Sequence, residues 1–91
     1  MRITWDATKR LQTLSRRRLD FSDAVQVFAG VTAEFEDRRK QYGERRIVCY
    51  GRLAGRLLVI VYTPRDGARH IISMRKANER EKARFARLHQ D

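Results

Sequence analysis

Between Glu44 and Arg75 the segment ERRIVCYGRLAGRLLVIVYTPRDGARHIISMR sets three apolar runs rich in Val, Ile and Tyr between short segments containing glycine. The first run, residues 46–50, and the second, residues 57–63, flank Gly51, Arg52, Leu53, Ala54 and Gly55. That composition reads as a hairpin loop with residues able to take positive φ. The second and third runs, the latter residues 69–75, flank Pro64, Arg65, Asp66 and Gly67, where proline presets one turn position and glycine supplies another. The pattern predicts a three-stranded antiparallel meander. Leu57 to Tyr62 is apolar at every position, as in a central strand covered on both faces. A buried helical segment also lacks alternation, but the short length, the β-branched residues and the flanking turns favour a strand. In the third run, alternation places Arg69, Ile71, Ser73 and Arg75 on one face and His70, Ile72 and Met74 on the other.

The flanking segments change period. Ile3 and Trp5 alternate with Arg2 and Thr4, a short strand, and Asp6 is placed to cap a following helix. That helix runs from Ala7 to about Arg18, with Leu11 and Leu14 as a weak inner stripe on a basic surface. Phe21 precedes Ser22, the expected cap of a second helix with Ala24, Val25, Val27 and Phe28 as its apolar face and Gly30 as its stop. Residues 31–35 form another short strand with Val31, Ala33 and Phe35 on one side, and residues 36–43 are a charged connection. Beyond Arg75, Ala77, Arg80, Glu81, Arg84, Phe85 and Leu88 recur at helical spacing, predicting a helix over 76–88 with Phe85 and Leu88 inward. The fold class is therefore α+β: a mainly antiparallel sheet with two helices before the meander and one after it, in a single domain over 1–91. No internal repeat, low-complexity tract or linker interrupts it.

Charge narrows the function. The 91 residues carry 21 Lys and Arg against 11 Asp and Glu, a formal net charge of +10. Such a surface attracts polyanions, and its excess is mostly arginine, whose planar fork fits phosphates and carboxylates and stacks on bases. Nucleic acid, an acidic protein partner, or both are expected; a basic face serving solubility alone is the competing reading. The single cysteine, Cys49, cannot form an internal disulfide, and in an apolar strand it reads as a small core residue rather than a nucleophile. No apolar stretch reaches membrane-span length, and the first residues lack a signal-like segment, so neither membrane insertion nor secretion is expected.

Familiar cofactor and metal patterns are missing. The glycines at 43, 51, 55 and 67 read as turns, not as a nucleotide-binding loop. Two histidines and one cysteine do not make a structural zinc site, and no cofactor or metal is expected. RNA is cut without metal when its 2′-hydroxyl attacks the adjacent phosphate, which needs a proton acceptor, a donor to the leaving oxygen and cations around the developing charge. Arg75 and Ser73 can bind a phosphate from one sheet face; alternatively Arg75 pairs with a carboxylate and Ser73 is incidental. His70 titrates near neutrality, although a strand histidine is commonly a packed or edge residue. Tyr42, Tyr50 and Tyr62 can stack on bases, with Tyr62 also read as core.

In order and spacing, ITWDATK, DFSDAVQVF, YGERR, GRLLVIVYTPR and HIISMRKANEREKARF resemble the BrnT toxins of bacterial type II toxin–antitoxin systems over nearly the whole chain. The resemblance implies a fold similar to the RelE ribonuclease toxins, RNA cleavage that arrests translation in the bacterial cytoplasm, and neutralisation by a BrnA antitoxin. That antitoxin has a ribbon-helix-helix part through which the complex binds operator DNA and represses its own operon. By position, Lys9 matches the family's first-helix lysine, Glu44 and Arg46 its Gly-Glu-x-Arg segment, Arg65 the turn after the central strand, and Ser73 and Arg75 its Ile-Ser-x-Arg pattern. These residues are implied to bind phosphate and move protons, with Arg46, Arg65 and Arg75 on phosphate and Glu44 and Lys9 handling protons.

The first helix departs from the family pattern. Family members carry Asn and then Lys-His-Gly before an apolar residue and the Phe; this chain has Thr13, then Arg16, Arg17 and Arg18 before Leu19 and Phe21. Arg17 cannot replace a histidine in proton transfer, because guanidinium stays charged, so Arg16, Arg17 and Arg18 are read as RNA phosphate-binding residues. His70, where the family commonly has arginine, is the candidate for the displaced acid–base role. Two other readings compete with a ribonuclease: a catalytically weak or inert module that binds the antitoxin and serves in operon autorepression, and a small nucleic-acid-binding domain outside any toxin system.

Overall fold

The computed structural model describes residues 1–89. Its elements are β1 (Ile3–Trp5), α1 (Ala7–Arg17), a 3₁₀ turn (Phe21–Asp23), α2 (Ala24–Ala29), β2 (Thr32–Glu36), β3 (Ile47–Leu53), β4 (Arg56–Arg65), β5 (Ala68–Lys76) and α3 (Glu79–Leu88). The five strands form one sheet in the order β1-β5-β4-β3-β2, with β1 parallel to β5 and every other pair antiparallel. The expected α+β class and the β3-β4-β5 meander are both present. β4, the apolar run, is central, with Leu57 to Ile60 and Tyr62 all buried.

Both hairpins are tighter than their composition suggests. The β3–β4 strands continue to Leu53 and Arg56, leaving a two-residue turn at Ala54 and Gly55 with φ of 51° and 78°. Positive φ at both positions matches the twist of the flanking strands. The β4–β5 turn is Asp66 and Gly67, at 48° and 76°, so Pro64 and Arg65 stay in the strand. Gly51 is not a turn residue. It lies inside β3 beneath α2, where an added Cβ would come within 2.5 Å of Val27 Cγ1; glycine is needed there for close packing.

One sheet face is sealed by the 3₁₀ turn and α2. Phe21, Ala24, Val27 and Phe28 pack there with Ile47, Cys49, Leu58, Ile60, Tyr62, Ile71 and Met74. Asp20, not Ser22, caps the 3₁₀ turn by accepting from the Ser22 N–H at 3.0 Å, and Val25 points outward. The opposite face carries a smaller cluster of Tyr50, Leu57, Val59, Ala77 and Phe85 under α3. α3 starts later than predicted because β5 runs to Lys76 and Asn78 forms a capping box with Glu81. Phe85 is buried as expected, whereas Leu88 is exposed.

α1 differs most from its prediction. It buries no residue, and Leu11 and Leu14 are 62% and 40% exposed rather than inward. Polar contacts hold it instead. Asp6 accepts from the Lys9 N–H at 3.0 Å, Arg10 pairs with Asp20 at 2.8 Å and stacks on Trp5, and Arg17 Nη1 donates to the Met74 carbonyl of β5 at 3.0 Å. Arg18 ends the helix at φ 57°, the left-handed conformation that glycine adopts without cost.

Candidate active site

A β-bulge in β5 decides which side chains meet. Val61 pairs with Ser73 and Tyr62 with Ile71, leaving Ile72 without a partner. The extra residue reverses the alternation beyond it. Arg69, Ile71 and Met74 therefore face α2, while His70, Ser73 and Arg75 share the opposite face with Thr63, Val61 and Val59. The simple period-two expectation, which grouped Ser73 and Arg75 with Arg69 and Ile71, fails at this point. On this second face α3 covers only the end around Tyr50, Leu57 and Val59, and Phe35, Val48 and Val61 are left half-buried.

His70 stands at the open end of that face. Its Nδ1 lies 2.8 Å from the Thr4 hydroxyl of β1, the strand residue directly beside it. Desolvation, and secondarily the Arg65 guanidinium, push its pKa below the ordinary value, and Glu44, Lys9 and Asp6 also act on its charge. The imidazole is thus neutral near pH 7 and able to accept a proton. Beside it, Arg65 Nη2 donates to Glu44 at 3.1 Å, an ion pair open to solvent on both sides. His70, Glu44, Arg65 and Lys9, far apart in sequence, form one mixed-charge group.

Lys9 and Ser73 also line a cavity of about 200 Å³ between α1 and β5, together with Gln12, Thr13, Arg16 and Arg17. Arg17 is tied to the Met74 carbonyl, so it fastens α1 to the sheet edge. Arg16 and Arg18 are exposed and, with Arg17, Leu19, Arg75 and Lys76, border the next depression along the same edge.

Arg75 is committed to a carboxylate, one of the two roles its spacing allowed. Its Nη1 and Nη2 donate to the two oxygens of Glu81 at 2.8 and 2.7 Å. The pairing raises the Arg75 pKa and lowers that of Glu81. Arg46 is engaged by an aromatic ring: its guanidinium lies 4.1 Å from the centre of the Tyr42 ring, and its buried Nε has no hydrogen-bond partner among the described residues. Tyr42 in turn donates to Asp37, which Arg39 and the Arg39 N–H hold well below the usual carboxylate range. Tyr50 and Tyr62 are buried, and Tyr62 donates to Glu34. Cys49 is buried, its thiol pushed up to about 12 by desolvation, as a core residue should be. Among the described residues no group of His, Cys, Asp and Glu is arranged to hold a metal ion.

A family model described as the ribonuclease toxin, BrnT, of type II toxin-antitoxin systems matches residues 5–81. The chain belongs to the BrnT family. No match is found among curated proteins. A BrnT toxin is a ribonuclease, so it has an RNA substrate, and as a type II toxin it has a cognate antitoxin. Each of Lys9, Arg16, Arg17, Arg18, Glu44, Arg46, Arg65, His70, Ser73 and Arg75 falls inside the matched BrnT region. Among the described residues, no helix is long and apolar enough to cross a membrane.

Three contacts are not evident from the sequence. Thr4 reaches His70 only through parallel pairing of β1 with β5, a contact across 66 positions with no local signal. The Arg75–Glu81 pair was readable in principle, because Asn78 followed three residues later by Glu81 is a capping-box signature that places Glu81 at the helix entrance near Arg75. Phe35 and Arg84, stacked 4.2 Å apart on the uncovered part of the sheet, come from β2 and α3 and had no reason to be associated.

Proposed function

We propose that this BrnT family member is an endoribonuclease toxin that cleaves RNA by side-chain acid–base chemistry around His70, with residues 1–91 acting as one unit. The observation that carries the reading is the position of His70: a neutral imidazole on the open sheet face, held by Thr4 and surrounded by Lys9, Glu44 and Arg65. With Nδ1–H donating to the Thr4 hydroxyl, Nε2 is the free proton acceptor. The substrate 2′-hydroxyl gives its proton to Nε2 as its oxygen attacks the adjacent phosphorus. The bond from phosphorus to the 5′-oxygen breaks, and that oxygen takes a proton from the Lys9 ammonium. The products are a 2′,3′-cyclic phosphate and a 5′-hydroxyl end. Arg65 stabilises charge on the phosphoryl oxygens, and Glu44 holds Arg65 in place. Ser73 and Arg16 extend phosphate contact along the α1 side. Arg75 contributes first through Glu81, fixing α3 to the sheet, and Arg46 orders the 37–46 connection through Tyr42.

The partner in this reading is a BrnA-like ribbon-helix-helix antitoxin, which neutralises the toxin and brings the complex to operator DNA in the bacterial cytoplasm. A second reading is favoured by one observation. Arg17, at the position of the family histidine, is fastened to the Met74 carbonyl and cannot move a proton, so the chain acts as an inert antitoxin-binding module unless His70 replaces that function.

The test is inducible expression in a bacterium, following growth and total RNA integrity at matched protein levels. The intact chain should arrest growth and fragment RNA, and His70→Ala should abolish both while keeping its thermal unfolding midpoint. Full toxicity of the variant removes His70 from the chemistry. A folded, well-expressed intact chain that leaves RNA unbroken transfers the assignment to the antitoxin-binding module. Arg75→Ala alone cannot decide, because it also breaks the α3 anchor.

A further inference from the structure

Next to the His70 group, the same sheet face holds a cleft of about 480 Å³ between α3 and the segment that follows β2. Its floor is the half-buried row Phe35, Val48 and Val61, one residue from each of three adjacent strands. Apolar side chains uncovered on a strongly basic protein call for an occupant that is both flat and anionic. The wall supplies a ready stack, since the Arg84 guanidinium lies 4.2 Å from the Phe35 ring. The rim is also unbalanced in charge. Glu36 is engaged by Arg38 and Arg45, Asp37 by Arg39, and Glu81 by Arg75. Arg80 and Arg84 have no carboxylate partner among the described residues, although both border the cleft. An aromatic ring, an arginine plane and free guanidinium groups around a small apolar floor are the elements that hold an unpaired nucleobase and its phosphate.

We infer that this cleft is a nucleobase subsite for single-stranded RNA, in which one base rests on Phe35, Val48 and Val61 against Arg84 while Arg80 and Arg84 meet the flanking phosphate. It rests on the proposed ribonuclease function and adds to it the source of base preference. The floor ends on β4, whose neighbour β5 carries Ser73 and His70 on the same face: Val61 pairs with Ser73, and Thr63 with His70. A strand held there presents the next linkage to the His70 group. Single-stranded RNA is required because the base must leave its own stack to reach the floor. An acidic protein segment is the competing occupant, but it would use the arginines without needing the half-buried apolar floor or the stacked Arg84 plane.

The experiment measures fluorescence anisotropy of 2′-O-methyl oligonucleotides of A, C, G and U, which bind but cannot be cleaved through the 2′-oxygen, with polyglutamate as the acidic-protein probe. The intact chain should prefer one base roughly tenfold over the poorest. Phe35→Leu should remove about that tenfold from the preferred oligonucleotide while leaving the poorest nearly unchanged, and Arg84→Gln should remove the same preference on top of a uniform loss from its missing charge. Arg56→Gln, at the distant β3–β4 turn, should lower all four equally. Thermal unfolding of Phe35→Leu checks its fold, and exposed Arg84 provides the independent variant. Equal binding of all four bases, falling only with salt, overturns the subsite in favour of phosphate attraction alone. Displacement by polyglutamate with the same Phe35 dependence overturns it in favour of a protein-docking surface. RNA fragmentation that requires His70, combined with no base preference, sinks the subsite and leaves the nuclease. Selective binding lost in Phe35→Leu, without fragmentation by the intact chain, keeps the subsite and removes the nuclease.

Discussion

The two faces of the sheet are built to different standards. The face under α2 is closed: Phe21, Val27, Ile60, Ile71 and Met74 are almost wholly buried, and Gly51 lets the helix come within van der Waals contact of β3. The face under α3 is closed only at one end, where Phe85 meets Tyr50, Leu57 and Val59, and the rest leaves Phe35, Val48 and Val61 half-open. The first face is where apolar burial supplies stability; the second gives up part of that burial to present His70, Ser73, Arg65 and the arginine-rimmed cleft. Basic proteins that bind polyanions need such a surface, and a five-stranded sheet can provide it only if one face holds the fold together.

The comparison breaks if the two faces respond alike to truncation. Phe21→Ala should cost about 3–5 kcal/mol by denaturant unfolding, since it empties a fully buried site. Phe35→Ala should cost only about 1–2 kcal/mol, because its ring already meets solvent. Equal losses would show that the open face is as structural as the closed one. Gly51→Ala sharpens the same point. Its methyl would press on Val27 Cγ1 at 2.5 Å and Thr32 Cγ2 at 3.1 Å, and overpacking of this kind costs about 1–3 kcal/mol; an unchanged unfolding midpoint would mean that α2 is free to slide.

At the edge between the faces, Arg18→Gly should stabilise the chain by about 0.5–1 kcal/mol, because glycine relieves a left-handed backbone at φ 57°. A loss of stability would show that the Arg18 side chain makes a contact worth more than its strain. The smallest effect is a pH slope. The folded state holds the His70 pKa below its unfolded value, so the unfolded chain binds more protons as the pH drops below about 6.5. Stability is therefore full above that pH and declines as the pH falls through it. Urea titrations between pH 7.5 and 5 should show this decline, and His70→Gln should flatten it; an unaltered slope assigns it to other groups. At lower pH the Asp20–Arg10 pair adds a further loss, because Asp20 is held well below the usual carboxylate range chiefly by its hydrogen bonds from Arg10.

Much of the fold was legible because it rests on local rules. The meander follows from three β-branched runs and their turns, the Asp6 cap from a polar residue before a breaker-free stretch, and the α3 face from Phe85 at helical spacing. Misreadings occurred where packing overrode local preference. Gly51 resembles a loop residue until α2 is laid over it, and Leu11 and Leu14 resemble a core stripe although α1 is anchored by one ion pair and a carbonyl. The site was legible only in part. Family resemblance pointed to Lys9, Glu44, Arg65 and Ser73, which the fold gathers near His70, and also to Arg46 and Arg75, which it engages with Tyr42 and Glu81.

By itself the sequence determined the α+β class, the central position of β4, the polyanion-seeking charge and the family. The first three depend on composition and short-range periodicity, and the family on motifs in their order along the chain; none needs knowledge of distant neighbours. Only the tertiary structure decided that Ile72 is an unpaired bulge, that Thr4 lies against His70, that Arg75 is held by Glu81, and that Phe35 and Arg84 share an open cleft. Each of those depends on register between strands or on the seating of a helix. Long-range register is set by the whole core at once, so no single segment carries it.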